Sequence, residues 1–263
     1  MTLLDPILLQ ARLGLAAGRF DVDALAACDS TSSELMRRAE GGAPSGTVVV
    51  ADRQAAGRGR RGRAWLSDPA GSLTFSLLWR FALRPDRLAG LSLAVGVALA
   101  RALERLGADG VRLKWPNDVL LATADGYAKL AGILVEVTSD RRGAAAVIGI
   151  GLNLQPPAGD LPQPAAGLGQ ALAAPPERHA VLAAILGELA GVLDAFAVDG
   201  FAGQKSAWLE RHAWQDRRVR LLGEGGAMQD GICRGVDDDG ALLLDTGGSV
   251  ERVFSGDVSL RAA

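Results

Sequence analysis

Cysteine is nearly absent from this 263-residue chain: Cys28 and Cys233 lie far apart and form no C-x-x-C pair. That excludes a disulfide scaffold and any zinc site built on cysteine spacing, and no metal-ligating constellation stands out. Histidine is as scarce, and His179 and His212 both fall in helical patterns, where each reads as an ordinary surface or boundary residue. Charge of one sign is also missing. With 28 Lys+Arg against 30 Asp+Glu, a formal −2, a surface wholly committed to nucleic acid is excluded, though local basic patches are not. Long hydrophobic runs are lacking too: residues 88–100 are closed in by Arg87 and Arg101, and residues 180–198 contain Glu188 and Asp194. Both read as core helices, and no membrane partner is expected. Asp5 precedes the first basic residue, Arg12, which is not the layout of a secretory signal, so a cytoplasmic location is expected.

The length fits one large unit plus a small one, enough to bury a core without staples. Thr31 with Glu34 three residues on suggests a capping box opening a short helix that Gly41-Gly42 ends. The first strand is expected after about twenty-seven residues. Residues 47–51 and 72–79 read as strands, 85–106 as one long helix, and 111–154 as an antiparallel meander broken by Pro116-Asn117-Asp118, Asp125-Gly126 and Arg142-Gly143. Six of the eleven prolines fall between Pro156 and Pro176, an irregular connection before helices at 177–196 and 201–211. After Trp214, short strands between Gly223-Glu224-Gly225-Gly226, Asp237-Asp238-Asp239-Gly240 and Thr246-Gly247-Gly248 suggest four or five strands of a small barrel.

Four segments carry chemistry. Gly57-Arg58-Gly59-Arg60-Arg61-Gly62-Arg63-Ala64-Trp65 matches G-x-G-x-x-G but opens no helix, so it is a poor dinucleotide fingerprint. Glycine-spaced guanidinium forks suit a flexible loop that closes over carboxylates and phosphates; the plainer readings are a solvated basic loop or a nucleic-acid arm. Lys114-Trp115-Pro116-Asn117-Asp118 gathers a cation, a ring, an amide and a carboxylate at a turn, where turn chemistry alone is the plainer reading. Lys129 opens an apolar strand, a position that more often guards an edge. Gly149-Ile150-Gly151-Leu152-Asn153 suggests close approach by a ligand or another backbone, or a bulge.

Taken in order with Asp29-Ser30-Thr31, and with Lys129-Leu130-Ala131-Gly132-Ile133-Leu134, Gly240–Leu244 and Ser259-Leu260-Arg261, these segments closely resemble the biotin protein ligases. The resemblance implies an α+β fold: a class II synthetase-like biotin/lipoate ligase catalytic domain with a mixed, largely antiparallel sheet over residues 1–214, plus a small C-terminal SH3-like β-barrel over 215–263. It implies a ligase that turns biotin and MgATP into biotinyl-5'-AMP and passes the biotinyl group to a lysine of a biotin carboxyl carrier protein. Residue by residue, it sets Ser30, Thr31, Ser32 and Gln54 against the ring end of biotin, and Arg58, Gly59 and Arg60 against the biotin carboxylate and adenylate. Lys129 would face the carboxylate and α-phosphate, with Arg60 and Asp118 as its catalytic partners. Trp65, Asn117, Asn153 and Arg261 would lie on the nucleotide side.

The chain departs from the usual Ser-Thr-Asn in having Ser32, which bears on biotin affinity and not on the reaction class. Too few residues precede the catalytic region for the helix-turn-helix unit some members carry, so no specific DNA binding is expected. The family includes monomers and dimers, which leaves a homodimer open. The rival within the superfamily is a lipoate or octanoate ligase, although the chain has no His-Asp pair of the kind lipoate ligases share. A rival of another class is an arginine-loop nucleic-acid binder, whose affinity would fall steeply with salt and ignore biotin.

Overall fold

A computed structural model describes residues 3–140, 143–159, 161, 163–223, 228–254 and 259–262. Two elements precede the expected start. Asp5 accepts a hydrogen bond from the Ile7 N–H at 2.8 Å and Pro6 sits in the first turn, together opening α1 (Pro6–Leu13). The first strand, β1 (Asp21–Cys28), then lies inside the residues thought to precede it. It forms a sheet edge and stays half exposed, so its apolar alternation is weak.

From β1 the chain passes through α2 (Thr31–Glu40) into β2 (Thr47–Gln54), which pairs parallel with β1. The remaining strands, β3 (Ser72–Phe81), β4 (Val111–Lys114), β5 (Asp118–Thr123), β6 (Gly126–Asp140) and β7 (Gly143–Asn153), pair antiparallel in the order β1-β2-β3-β7-β6-β5-β4. This is the expected mixed, largely antiparallel sheet. Its β-branched and leucine-rich strands bury both faces: Val48 and Val50 of β2 point into the main core, whereas Val49 joins Leu35, Leu78 and Val147 under α2.

The long helix expected over 85–106 is two pieces, a short 3-10 turn at Pro85–Leu88 and α3 (Leu91–Arg105). Gly90 breaks it, with φ of +77° and a site where an added Cβ would stand 2.6 Å from Cβ of Phe201. α4 (Arg178–Asp199) is apolar on nearly every side and by length and composition could cross a membrane, yet it packs along α3 and buries Val181, Leu182, Ile185, Leu189 and Phe196. The second helix expected there begins as a 3-10 turn at Gly200–Gln204, and α5 (Lys205–Leu209) is only five residues long.

The C-terminal part is a five-stranded antiparallel sheet of the SH3-like kind. Its strands are β8 (Arg218–Leu222), β9 (Met228–Val236), β10 (Leu242–Asp245), β11 (Val250–Val253) and β12 (Ser259–Ala262), in the order β11-β10-β9-β8-β12. The turn expected at 223–226 falls, after Gly223, outside the described residues, as does Arg142. A polar and aromatic seam ties this sheet to the larger unit. Trp115, fully buried, donates from Nε1 to the Gly240 carbonyl at 3.1 Å, and Lys205 meets Asp238 at 2.8 Å. The segment leading into β8 also covers the free edge of β4 through one isolated bridge: Leu113 N–H donates to Arg211 O, and Ala213 N–H to Leu113 O.

Replacing Trp115 by Phe keeps a ring in the seam but removes the donor to a buried carbonyl. The expected cost is about 2 kcal/mol, read as a lower urea midpoint with an unchanged slope. An unchanged midpoint would show that this bond does not hold the two parts together.

Candidate functional site

One row of paired residues crosses the large sheet: Lys114 opposite Asp118, Asp118 opposite Gly132, Gly132 opposite Gly151, and Gly151 opposite Thr74. Directly paired residues share a face, so this row forms the floor of a cleft of about 470 Å³. Lys129 lies three residues before Gly132, and strict alternation would aim it at the other face. A register shift between Val119 and Leu120 of β5 puts Leu120, not the next residue along, opposite Lys129, and Lys129 joins the cleft lining. Its backbone is fixed by the proline-rich connection, where Pro164 O accepts from Lys129 N–H at 2.8 Å and Ala166 N–H donates to Lys129 O at 2.9 Å. That connection, expected to be irregular, therefore contributes a wall of the site through Leu161, Gln163 and Ala165.

The glycines are where a side chain approaches closely. The Trp65 indole lies against Gly151 and Gly132, in space that any Cβ on Gly151 would occupy, and Gly149 is bare beneath the hydroxyl of Ser32. The close approach expected there is thus made by the chain's own Trp65 and Ser32. The indole Nε1 is buried and has no hydrogen-bond partner among the described residues. Trp65 closes a small hairpin: Gly59 N–H donates to Arg63 O at 2.8 Å, Trp65 N–H to Gly57 O at 2.9 Å, and a 3-10 turn at Arg60–Gly62 forms the tip. In the structure this arginine-rich segment folds as a strap. Arg58 is ion-paired with Glu136 and donates to Ser33 Oγ at 3.2 Å, while Arg60 reaches Asn117 Oδ1 at 3.4 Å.

At the other end, α2 begins against the cleft. Its N-cap is Ser30 and not Thr31, because the Thr31 hydroxyl is used elsewhere. Thr31 Oγ1 accepts from Ser76 Oγ at 2.9 Å and donates to Gln54 Oε1 at 3.2 Å, while Thr31 N–H also donates to Gln54 Oε1 at 2.8 Å. Glu34 is drawn outward by Arg37 and Arg38, so no capping box forms. The Ser32 hydroxyl lies 3.1 Å from that of Ser76, buried beside Gly149.

The electrostatics centre on Asp118, whose side chain is only 12% exposed. Lys129 Nζ stands 2.6 Å from one carboxylate oxygen and Lys114 Nζ 3.3 Å from the other. Burial pushes this carboxyl up, but the two ammonium groups outweigh burial and hold it below the ordinary aspartate value. Among the described residues lining the cleft are four arginines and two lysines against that single carboxylate. Asn117 is held by donating to Ile133 O at 2.8 Å, and Asn153 donates to Lys129 O at 3.4 Å.

Ser30, Thr31, Ser32, Gln54, Arg58, Gly59, Arg60, Trp65, Asn117, Asp118, Lys129 and Asn153, separated in sequence, all line this one cleft. Arg261 falls in β12, next to Leu260, which lines the cleft; the Arg261 side chain lies outside the described residues. The residue that sequence reasoning passed over is Lys114, though it opened one of the motifs. Neither cysteine is a nucleophile here: burial pushes both thiols up to about 11. Burial likewise depresses His212 to about 4, leaving it neutral and outside the cleft.

Comparison with known proteins shows what the whole chain is similar to. The Biotin/lipoate A/B protein ligase family matches residues 26–153, and the Biotin protein ligase C terminal domain matches residues 216–261. The chain is 35% identical to the Biotin--[acetyl-CoA-carboxylase] ligase of Mycobacterium tuberculosis, covering 94% of this chain and 91% of that protein. It is 38% identical to the Bifunctional ligase/repressor BirA of Escherichia coli, over 92% of this chain and 74% of that protein. The solved biotin protein ligase from Aquifex aeolicus in complex with biotin and ATP superposes with a TM-score of 0.75 at 31% identity, covering 92% of this chain and 99% of that one.

Replacing Asp118 by Asn leaves the buried Lys114 ammonium facing that of the partly exposed Lys129, and the expected loss is on the order of 3 kcal/mol at neutral pH. Because the folded carboxyl is held below its unfolded value, its contribution is present above about pH 4 and is lost as pH falls through the folded value. The stability gap between the two proteins should therefore narrow on acidification in denaturant titrations, and a gap constant from pH 7 to pH 3 would contradict the pairing.

Proposed function

Because the chain belongs to the biotin protein ligase family, we propose that it activates biotin with ATP as biotinyl-5'-AMP and transfers the biotinyl group to a lysine of a biotin carboxyl carrier protein. It is an ATP-dependent ligase, and the lipoate or octanoate alternative is not favoured. The observation that carries the residue assignments is the concentration of cations around one buried carboxylate, in a chain that is otherwise nearly neutral.

In the first step a biotin carboxylate oxygen attacks the α-phosphorus, the bond to the β-phosphate oxygen breaks, and pyrophosphate leaves. Two anions must approach, so fixed positive charge is needed where charge gathers in the transition state. Lys129 supplies it, with Arg58 and Arg60 on the strap gripping the carboxylate and then the adenylate. Ser30, Thr31, Ser32 and Gln54 offer hydroxyls and an amide to the polar ring end of biotin; with Gln54 Oε1 occupied by Thr31, its NH2 remains the donor. Trp65, Asn117 and Asn153 form the nucleotide side, with Arg261 reaching it from the C-terminal unit, and we set the unit boundary at residues 214/215. In the second step the carrier lysine nitrogen attacks the acyl carbon, AMP leaves, and the nitrogen's proton passes to solvent. Asp118 orients the incoming amine. The strap over the cleft keeps water from the mixed anhydride.

Magnesium would accompany the triphosphate. Among the described residues no group of three or more His, Cys, Asp and Glu could hold a metal, and Asp118, the one carboxylate lining the cleft among them, is engaged by two lysines, so the cleft offers no ready protein ligand for the ion and no step is assigned to one.

Pyrophosphate exchange into ATP should require biotin and stay at background with octanoate or lipoate. Exchange with those acids alone would move the chain to the sister ligases. Lys129→Ala should retain most biotin binding while adenylate formation slows by two orders of magnitude or more, on the order of 3 kcal/mol; equal losses of both would oppose a transition-state role. Arg60→Ala should release biotinyl-AMP faster in a trapping assay, the lost charge-assisted bond being worth about 1.5–3 kcal/mol.

A further inference from the structure

Lys114 is a buried charged group in the cleft to which the mechanism gives no task. Its side chain is 7% exposed, directly opposite Asp118 across the β4–β5 pairing, with Nζ 3.3 Å from Asp118 Oδ2. On its other side Nζ lies 5.8 Å from the centroid of the Trp214 ring, which Tyr127 buttresses edge-on at 5.5 Å. Lys129 differs in each respect: it is 22% exposed, holds the other oxygen, Oδ1, and borders the Trp65 ring at 5.8 Å on the open side of the cleft. The two lysines therefore divide one carboxylate between a buried partner and a partly exposed one.

On the adenylation reading above, the carboxylate of biotin and the α-phosphate draw Lys129 toward the open cleft. Asp118 would then be a buried anion deprived of its nearer partner, unless another cation stays. We propose that Lys114 is a positioning residue, holding the Asp118 carboxylate ionised and in place while Lys129 turns to the substrate anions. Lys114 acts through Asp118 and need not touch substrate. The charged groups facing that carboxylate are Lys114 from β4 and Lys129 from β6, with Arg60 of the strap reaching the adjacent Asn117.

A double-mutant cycle on the whole chain tests this, with wild type, Lys114→Met, Lys114→Arg, Asp118→Asn and the double variant assayed for biotin-dependent pyrophosphate exchange across pH. Lys114→Met should lower kcat about tenfold with the KM for biotin within about twofold, and Lys114→Arg should recover most of the loss. The acid limb of the kcat profile should move to higher pH in Lys114→Met, since one of the cations holding Asp118 ionised is gone. In the Asp118→Asn background Lys114→Met should add nothing, because its route is already cut. Multiplying costs, an unmoved acid limb, or a change confined to KM would overturn the proposal. If Lys114→Met does not fold, the double variant, which removes both charges, still decides: activity equal to Asp118→Asn supports the route and a further loss overturns it. A wild type without biotin-dependent exchange would instead refute the functional reading, and this proposal would fall with it.

Discussion

Like charges repel, and a cleft that must join two anions has to collect cations that would rather be apart. Asp118 is the device that permits this here. Placed between Lys114 and Lys129, it turns two like charges into a paired cluster, and the two lysines offset the cost of its own burial. The geometry needs a hairpin of fixed register between β4 and β5, and a shift in β5–β6 pairing to bring Lys129 round. The long antiparallel sheet supplies both, and the two packed helices beneath it hold the sheet.

The glycine strip answers the same constraint from the side of shape. Gly132 and Gly151 face each other across two central strands, where bare backbone costs strand propensity. In return an indole can lie flat on the sheet, and the strap it closes can carry arginines over the cleft without pushing into the floor. Charge and shape are thus coupled, since Trp65 borders Lys129 and the strap that ends in Trp65 also carries Arg58 and Arg60.

What could be read in the sequence follows from which interactions are local. The buried strands, the meander and the five short terminal strands announced themselves because alternation and turn residues are local properties. β1 did not, being a half-exposed edge whose partner lies a helix away, and the break at Gly90 depends on Phe201, more than a hundred residues on. The site divides in the same manner. Motif resemblance gathered twelve residues that line one cleft, but Thr31 looked like a helix cap because its true partners, Ser76 and Gln54, are invisible to spacing. Lys129 looked like a strand-edge lysine because a register shift cannot be seen before strands are paired.

The C-terminal sheet completes the wall of the site and braces the hairpin that carries Lys114. Trp214, at the junction with that sheet, lies against Lys114; Trp115, the next residue in the same hairpin, is tied to Gly240; and Leu260 of β12 lines the cleft. A shift of the small unit would therefore alter the wall behind Lys114 and the wall of the cleft together. A buried charge pair is sensitive to such a shift, because its strength in a low-dielectric setting depends on distances of a few tenths of an ångström and on the exclusion of water. The small sheet thus backs the hairpin that carries Lys114, through Gly240, and walls the cleft through Leu260, and the two units cannot be treated as a catalytic body with a passive appendage.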